Sequence, residues 1–174
     1  MQSSNKIIEI PQWGSISDWN EANRAIEHLV RIHNKNLKHA FGKALDIKAK
    51  LSSLFPILDE FCQETCVHCS STCCITATVW LDFCDLIYIH LSGAPIPPHQ
   101  LIEKQPDSCK YNSLSGCTLP RLSRPWVCTM YLCPPQMALL RKKDELIRST
   151  FNDTILSLKN DRKLLEKMFI NVCR

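Results

Sequence analysis

Glycine is nearly missing: Gly14, Gly42, Gly93 and Gly116 are the only four in 174 residues. Glycine-rich loops bring backbone amides against phosphate groups, so neither a P-loop nor a dinucleotide fingerprint can be assembled here. An apolar run long enough to span a bilayer is missing too. The most apolar stretch, residues 75–91, carries Asp82 and Asp85 and ends in a proline-rich turn. It reads as a buried helix, and no membrane partner is expected. No basic run interleaved with aromatics occurs and the net charge of +4 is mild, so nucleic acid is not expected either. The first residues lack the basic-then-apolar order of a secretory leader. Strand-like alternation, internal repeats and low-complexity tracts are also wanting.

What the chain has instead is cysteine. Cys62, Cys66, Cys69, Cys73 and Cys74 fall within thirteen residues, and Cys109, Cys117, Cys128 and Cys133 follow. With no secretory leader, a disulfide framework is not the expectation; a cytoplasmic, metal-bound chain is. Thiolates are soft, strong ligands for zinc and iron and poor ones for magnesium or calcium. Cys84 and Cys173 read as core thiols, because an isolated cysteine packs as a small hydrophobe.

The expected architecture is mainly α: a single helical domain with long N- and C-terminal helices around a cysteine-rich, irregular metal-binding core. Residues 1–16 read as an N-terminal arm, 17–61 as a helical region, 62–135 as the metal-binding core and 136–174 as a C-terminal helical region. Ser17 or Asp18 offers the first N-cap. Apolar residues from Ala22 to Leu51 recur at helical spacing, giving one long helix or two broken near Gly42. Pro56 marks a stop or a new start, and Ile57 to about Cys66 reads as a short helix. Residues 77–91 read as another helical stretch closed by Gly93. Residues 93–125 hold six prolines and read as a loop. A loop of that length is usually held by something, and metal is the expected clamp. From Pro134 the helical period returns, either unbroken or interrupted near Asn160.

Cys62, Cys66, Cys69 and Cys73 are spaced four, three and four. On one straight helix their ends would lie about 16 Å apart, whereas thiolates on one zinc lie within about 4 Å of each other. Either the helix breaks after Cys66 or these cysteines divide between sites. The adjacent Cys73 and Cys74 point in different directions, which favours division. The candidate metal ligands are Cys66, Cys69, Cys73, Cys74, Cys109, Cys117, Cys128 and Cys133, enough for two four-thiolate sites or one site with spares. Lys110, Arg121 and Arg124 are the cofactor-binding candidates, since cations offset the negative charge of a thiolate centre; the plainer alternative is a solvated basic loop. His68 reads as exposed rather than ligating, with His90 and His99 weaker still. Asp82 and Asp85 read as polar positions on a helix. No catalytic residue can be named.

Cys66-Val-His-Cys69-Ser-Ser-Thr-Cys73-Cys74, the apolar segment with Asp85-Leu86-Ile87, Cys109, Gly116-Cys117 and Arg124-Pro-Trp-Val-Cys128 follow each other in an order that resembles the CxxCxxCC-type zinc- or iron-chelating domains, the YkgJ-like cysteine cluster proteins. The resemblance covers roughly residues 62–135. It implies metal binding and leaves the metal and activity open. The chain departs from the pattern in having three residues before the Cys-Cys pair, in Thr129 where an arginine is usual, and in the extra Cys62 and Cys133. Some flagellin lysine methylases are similar in this cysteine region.

Three functions follow as expectations. The first is an iron–sulfur protein with one or two four-iron ([4Fe-4S]) clusters, acting in electron transfer or redox sensing with a protein redox or regulatory partner. The second is a structural four-cysteine zinc module in a partner-binding helical domain. The third is an S-adenosylmethionine-dependent radical or methyl-transfer enzyme, because Cys62-x3-Cys66-x2-Cys69 has that superfamily's cluster spacing. Those enzymes resemble a partial barrel with glycine-rich loops, and this chain is short, helical and glycine-poor.

Overall fold

A computed structural model describes residues 13–70, 73–101, 104–105, 108–113 and 116–174. Among these residues the chain forms seven α-helices and two minimal hairpins. The expected arm thus lies mostly outside the described residues.

Helix α1 (Ile16–Ile32) starts earlier than Ser17 or Asp18 would have it. Ser15 is the cap, its Oγ accepting the Asp18 amide at 3.0 Å, which satisfies one of the orphan donors of the first turn. The break expected near Gly42 falls instead at residues 33–37. Asn34 and Asn36 favour a turn there, and the fully buried Leu37 anchors it. Helix α2 (Lys38–Thr65) then runs straight through both Gly42 and Pro56. Its buried stripe, Ala40, Ala44, Ile47, Leu51, Leu54, Leu58 and Phe61, continues across the proline. An internal proline costs about 3 kcal/mol. Burying Leu54, Leu58 and Phe61 contributes about 1.5–3 kcal/mol each, so burial wins and the expected separate helix at Ile57 merges into α2.

Residues 75–91 are not one helix. A short α3 (Cys73–Thr76) gives way to extended chain, and α4 (Phe83–Ser92) begins afresh. Asp82 and Asp85 cause the restart: the Asp82 carboxylate accepts the Asp85 amide at 2.7 Å while Asp85 accepts the Asp82 amide at 3.1 Å, a reciprocal capping box. Gly93, at φ 66°, closes α4 in the left-handed conformation.

Two antiparallel hairpins follow, β1 (Lys104–Gln105) with β2 (Ser108–Cys109) and β3 (Asn112–Ser113) with β4 (Gly116–Cys117). They correct the expectation of no strand, though each strand is only two residues. A 3₁₀ turn (Arg121–Ser123), α5 (Trp126–Met130), α6 (Pro134–Lys142) and α7 (Glu145–Cys173) complete the chain. Helix α7 is unbroken at Asn160; the interruption sits at Lys143 and Asp144.

The core forms where α4 lies against α2 and α7, with α1 packed on α4. Leu81, Leu86, Ile87, Leu158 and Leu165 are fully buried there. Lys43 and Lys50 of α2 reach Asp161 of α7 at 3.0 and 2.5 Å. The chain is a single, mainly helical domain with long helices at both ends. No helix among the described residues is long and apolar enough to cross a membrane. The expectation that metal clamps the long loop needs amending for its first part. Side chains clamp residues 94–101: Trp19 Nε1 donates to Pro97 O at 2.9 Å, Ser123 Oγ to Pro95 O at 2.6 Å, and Gln100 bonds both backbone groups of Leu81.

Candidate metal centre

The end of α2 delivers the first thiols. Cys62 occupies its last turn and Cys66 caps it, the Cys66 amide donating to Cys62 O at 2.9 Å. The helix breaks there, one of the two resolutions that the four-three-four spacing allowed. A turn carries Val67 and an exposed His68 to Cys69. Cys73 and Cys74 then start α3.

The nine clustered thiols sort into two groups by the company each keeps. Burial raises the Cys66 thiol most, to about 11, followed by the charge of Cys62; Cys133 also contributes. Burial raises Cys73, and the charges of Cys133, Cys69 and Cys62 raise it further. Cys62, Cys66, Cys69, Cys73 and Cys133 therefore form one neighbourhood. Burial also raises Cys74; its charged neighbours are first Cys117 and Cys109, then the adjacent Cys73, with Arg124 pulling the other way. Cys128 keeps a solvent-exposed face, yet protein packed around its sulfur, with Cys117, Cys109 and Cys74, pushes it to about 12. Cys74, Cys109, Cys117 and Cys128 form the second neighbourhood. The Cys73–Cys74 peptide bond is the border. Mutual repulsion of this kind is what a bound cation removes.

Short structural devices place the second group. Gly116 sits at φ 102°, a conformation that side-chain-bearing residues rarely take, and it turns the β3–β4 hairpin so that Cys117 pairs with Asn112. Arg124 donates to Leu119 O at 3.0 Å and Cys117 O at 3.3 Å. Pro125 fixes the entry to α5, which carries Cys128. The start of α5 is held from α4: the Trp126 amide donates to Asp85 Oδ1 at 3.2 Å. That same oxygen accepts Arg162 Nη1 at 2.6 Å, while Arg162 Nη2 reaches both Asp82 oxygens at 3.1 Å. The guanidinium also stacks 5.1 Å from the Trp126 ring. Burial lifts the Asp85 carboxyl to about 6 despite the Arg162 charge. Asp82 and Asp85 are thus not plain polar helix positions; they cap α4 and anchor the helix bearing Cys128.

The first group has its own polar surround. Gln136, buried on α6, offers its Nε2 to Cys62 Sγ at 3.7 Å and Cys66 Sγ at 3.8 Å, and its Oε1 accepts the Cys133 amide at 3.3 Å. Arg121 Nη2 lies 4.0 Å from Cys62 Sγ. It pairs with Asp59 and stacks 5.6 Å from Phe55. Lys110 follows Cys109 in the turn between the hairpins.

Among the described residues, no three His, Cys, Asp or Glu side chains stand close enough to close around one ion. All five thiols of the first group are exposed or half-buried. By donor chemistry both groups suit zinc or iron. Cys84 lies apart as expected, its Sγ donating to Arg162 O at 3.2 Å, buried enough to be raised to about 12. Cys173 packs half-buried against the core. His90 is lowered by burial and contacts Asn23 Oδ1 at 3.0 Å, and the His99 backbone is clasped by the Tyr111 hydroxyl; neither joins a thiol group.

Sequence reasoning left Cys62 out of the candidate ligands and passed over Gln136 and Arg162. Cys62 had a signal, standing one helical turn before Cys66. Gln136 had one too, three residues after Cys133 at capping-box spacing. Arg162 had none, because its partners lie 77 and 80 residues away. No family profile, curated protein or solved structure matches the chain.

Proposed function

We propose that this chain is a metallothiolate protein with two centres, and that the metal is iron in four-iron clusters serving electron transfer or redox sensing with a protein partner. The observation supporting it is the sorting of nine thiols into two sets across the Cys73–Cys74 bond. Cys74, Cys109, Cys117 and Cys128 would hold one cluster; Cys66, Cys69, Cys73 and Cys133 would hold the other. Such a cluster, when bound, supplies one-electron transfer. The chain's own part is to offset its negative charge and fix its ligands. Arg124 acts on Cys74 and ties down the Cys117 carbonyl; Arg121 and the Gln136 amide stand at the first group. Cations and N–H donors near thiolate sulfur raise cluster potential.

Zinc is the second reading, supported by the hydrogen bonds that hold Cys117 and the helix bearing Cys128: a four-thiolate set drawn from two hairpins and two short helices suits a structural ion. Anaerobic purification with a visible spectrum and iron, sulfide and zinc analysis tests both. A brown chain with roughly eight irons and eight sulfides fits the first reading. A colourless chain with about two zincs overturns iron in favour of zinc. A chain that takes up neither metal overturns both.

A further inference from the structure

The first thiol group holds five cysteines, one more than a four-ligand centre uses. The surplus has a definite neighbour. Cys62 and Cys66 share the last turn of α2, and Cys66 feels Cys62 both as a charge and through a sulfur hydrogen bond, ahead of Cys133. One buried amide, Gln136 Nε2, spans the pair at 3.7 and 3.8 Å. Residues one turn apart on a helix have α-carbons about 6 Å apart, inside the range a disulfide bridges, and β-carbons about 5–6 Å apart, wider than the roughly 3.8 Å it needs. The bond therefore requires the last turn to open at Cys66, whose backbone is still helical and whose amide donates to Cys62 O.

We propose that Cys62 and Cys66 form a reversible disulfide when the first group is not holding metal, with hydrogen peroxide as the oxidant. The Cys62 sulfur attacks one peroxide oxygen: an S–O bond forms, the O–O bond breaks, and the departing hydroxide takes the thiol proton as water. Arg121 Nη2 and Gln136 Nε2 stand at that sulfur and polarise the breaking O–O bond. The Cys66 sulfur then attacks Cys62, an S–S bond forms, and hydroxide leaves with the Cys66 proton as a second water. Two thiols are oxidised and one peroxide is reduced by two electrons. The consequence for the centre rests on the metal reading above: the bond removes Cys66 from the ligands and holds the first site empty until a thiol reductant reopens it. The bond itself is tested without metal.

Glu60 and Glu64 bracket Cys62, so a glutamate-specific protease releases Phe61–Glu64 from Cys66 unless sulfur joins them. The full-length chain is stripped with a chelator under nitrogen, treated with equimolar hydrogen peroxide, alkylated and digested. Phe61–Glu64 is expected joined to the fragment beginning at Thr65 in most molecules and freed by dithiothreitol. Cys66→Ser should abolish the link and Cys69→Ser should leave it. An alkylated Phe61–Glu64, or one joined to the Cys133 fragment, overturns the proposal. A chain that loads metal yet forms no such link refutes the disulfide alone. A chain that forms the link and loads no metal refutes the metal centres alone.

Discussion

At Asp85, burial and pairing pull in opposite directions. Desolvation lifts its carboxyl from 3.8 to about 6, while Arg162 resists. Between those values the folded protein keeps a proton that the unfolded chain has lost, so Asp85's contribution to stability falls as pH rises through that window and is level above it. In Asp85→Asn that slope should vanish from the difference between melting curves recorded from about pH 4 to pH 7. Arg162→Met leaves the carboxylate buried and unpaired. Denaturant unfolding should show a loss of about 3–5 kcal/mol near neutral pH, shrinking as pH falls toward about 6, because without the Arg162 charge the buried carboxyl takes its proton at higher pH. Cys84→Ala, by contrast, should leave metal content unchanged while costing stability, because its sulfur packs in the core and bonds Arg162 O. The core role of Cys84 was legible in the sequence from its place amid an apolar stretch. The Asp85–Arg162 pair was not: sequence spacing reveals partners one or two turns apart, and this pair is closed by the packing of α4 on α7.

Among elements, α2 and α7 form the frame, and Asp161 fastens them. Burial pushes the Asp161 carboxyl up, but hydrogen bonds and charges from Lys50 and Lys43 outweigh it and hold it below the ordinary value. A depressed carboxyl contributes stability above its unfolded value and loses it as pH falls through the folded one. Asp161→Asn should therefore cost about 1–3 kcal/mol by urea unfolding at neutral pH, and progressively less below about pH 4. Helix existence was legible from apolar spacing, since α1, α2 and α7 each bury one stripe. Helix ends were not. Pro56 and Gly42 read as breaks because local propensity opposes helix there, and the continuous buried stripe overrode them. The true break at residues 33–37 rests on two asparagines, a weaker signal than proline.

Across the whole molecule, the candidate site draws on six separate elements: the end of α2, α3, β2, β4, α5 and the start of α6. The cysteines themselves were plain in the sequence. Their division was legible only as a constraint, since spacing showed that one helix could not wrap one ion but not which distant thiol joined which set. The two-centre reading makes a divided prediction. Cys128→Ser should lower bound metal by about half and remove one centre, while Cys69→Ser should remove the other; elemental analysis of the purified variants checks it. Equal and complete loss in both would mean a single shared site. The border at Cys73–Cys74 adds a mechanical consequence. Their α-carbons are only about 3.8 Å apart across one peptide, so an ion gripping one cysteine also fixes the backbone from which the other hangs. Ordering one residue costs about 1–2 kcal/mol, and the first ion to bind meets that cost for both. On the two-centre reading, loading is then expected to be positively cooperative. Native mass spectrometry during a metal titration should show empty and doubly filled chains in excess of half-filled ones.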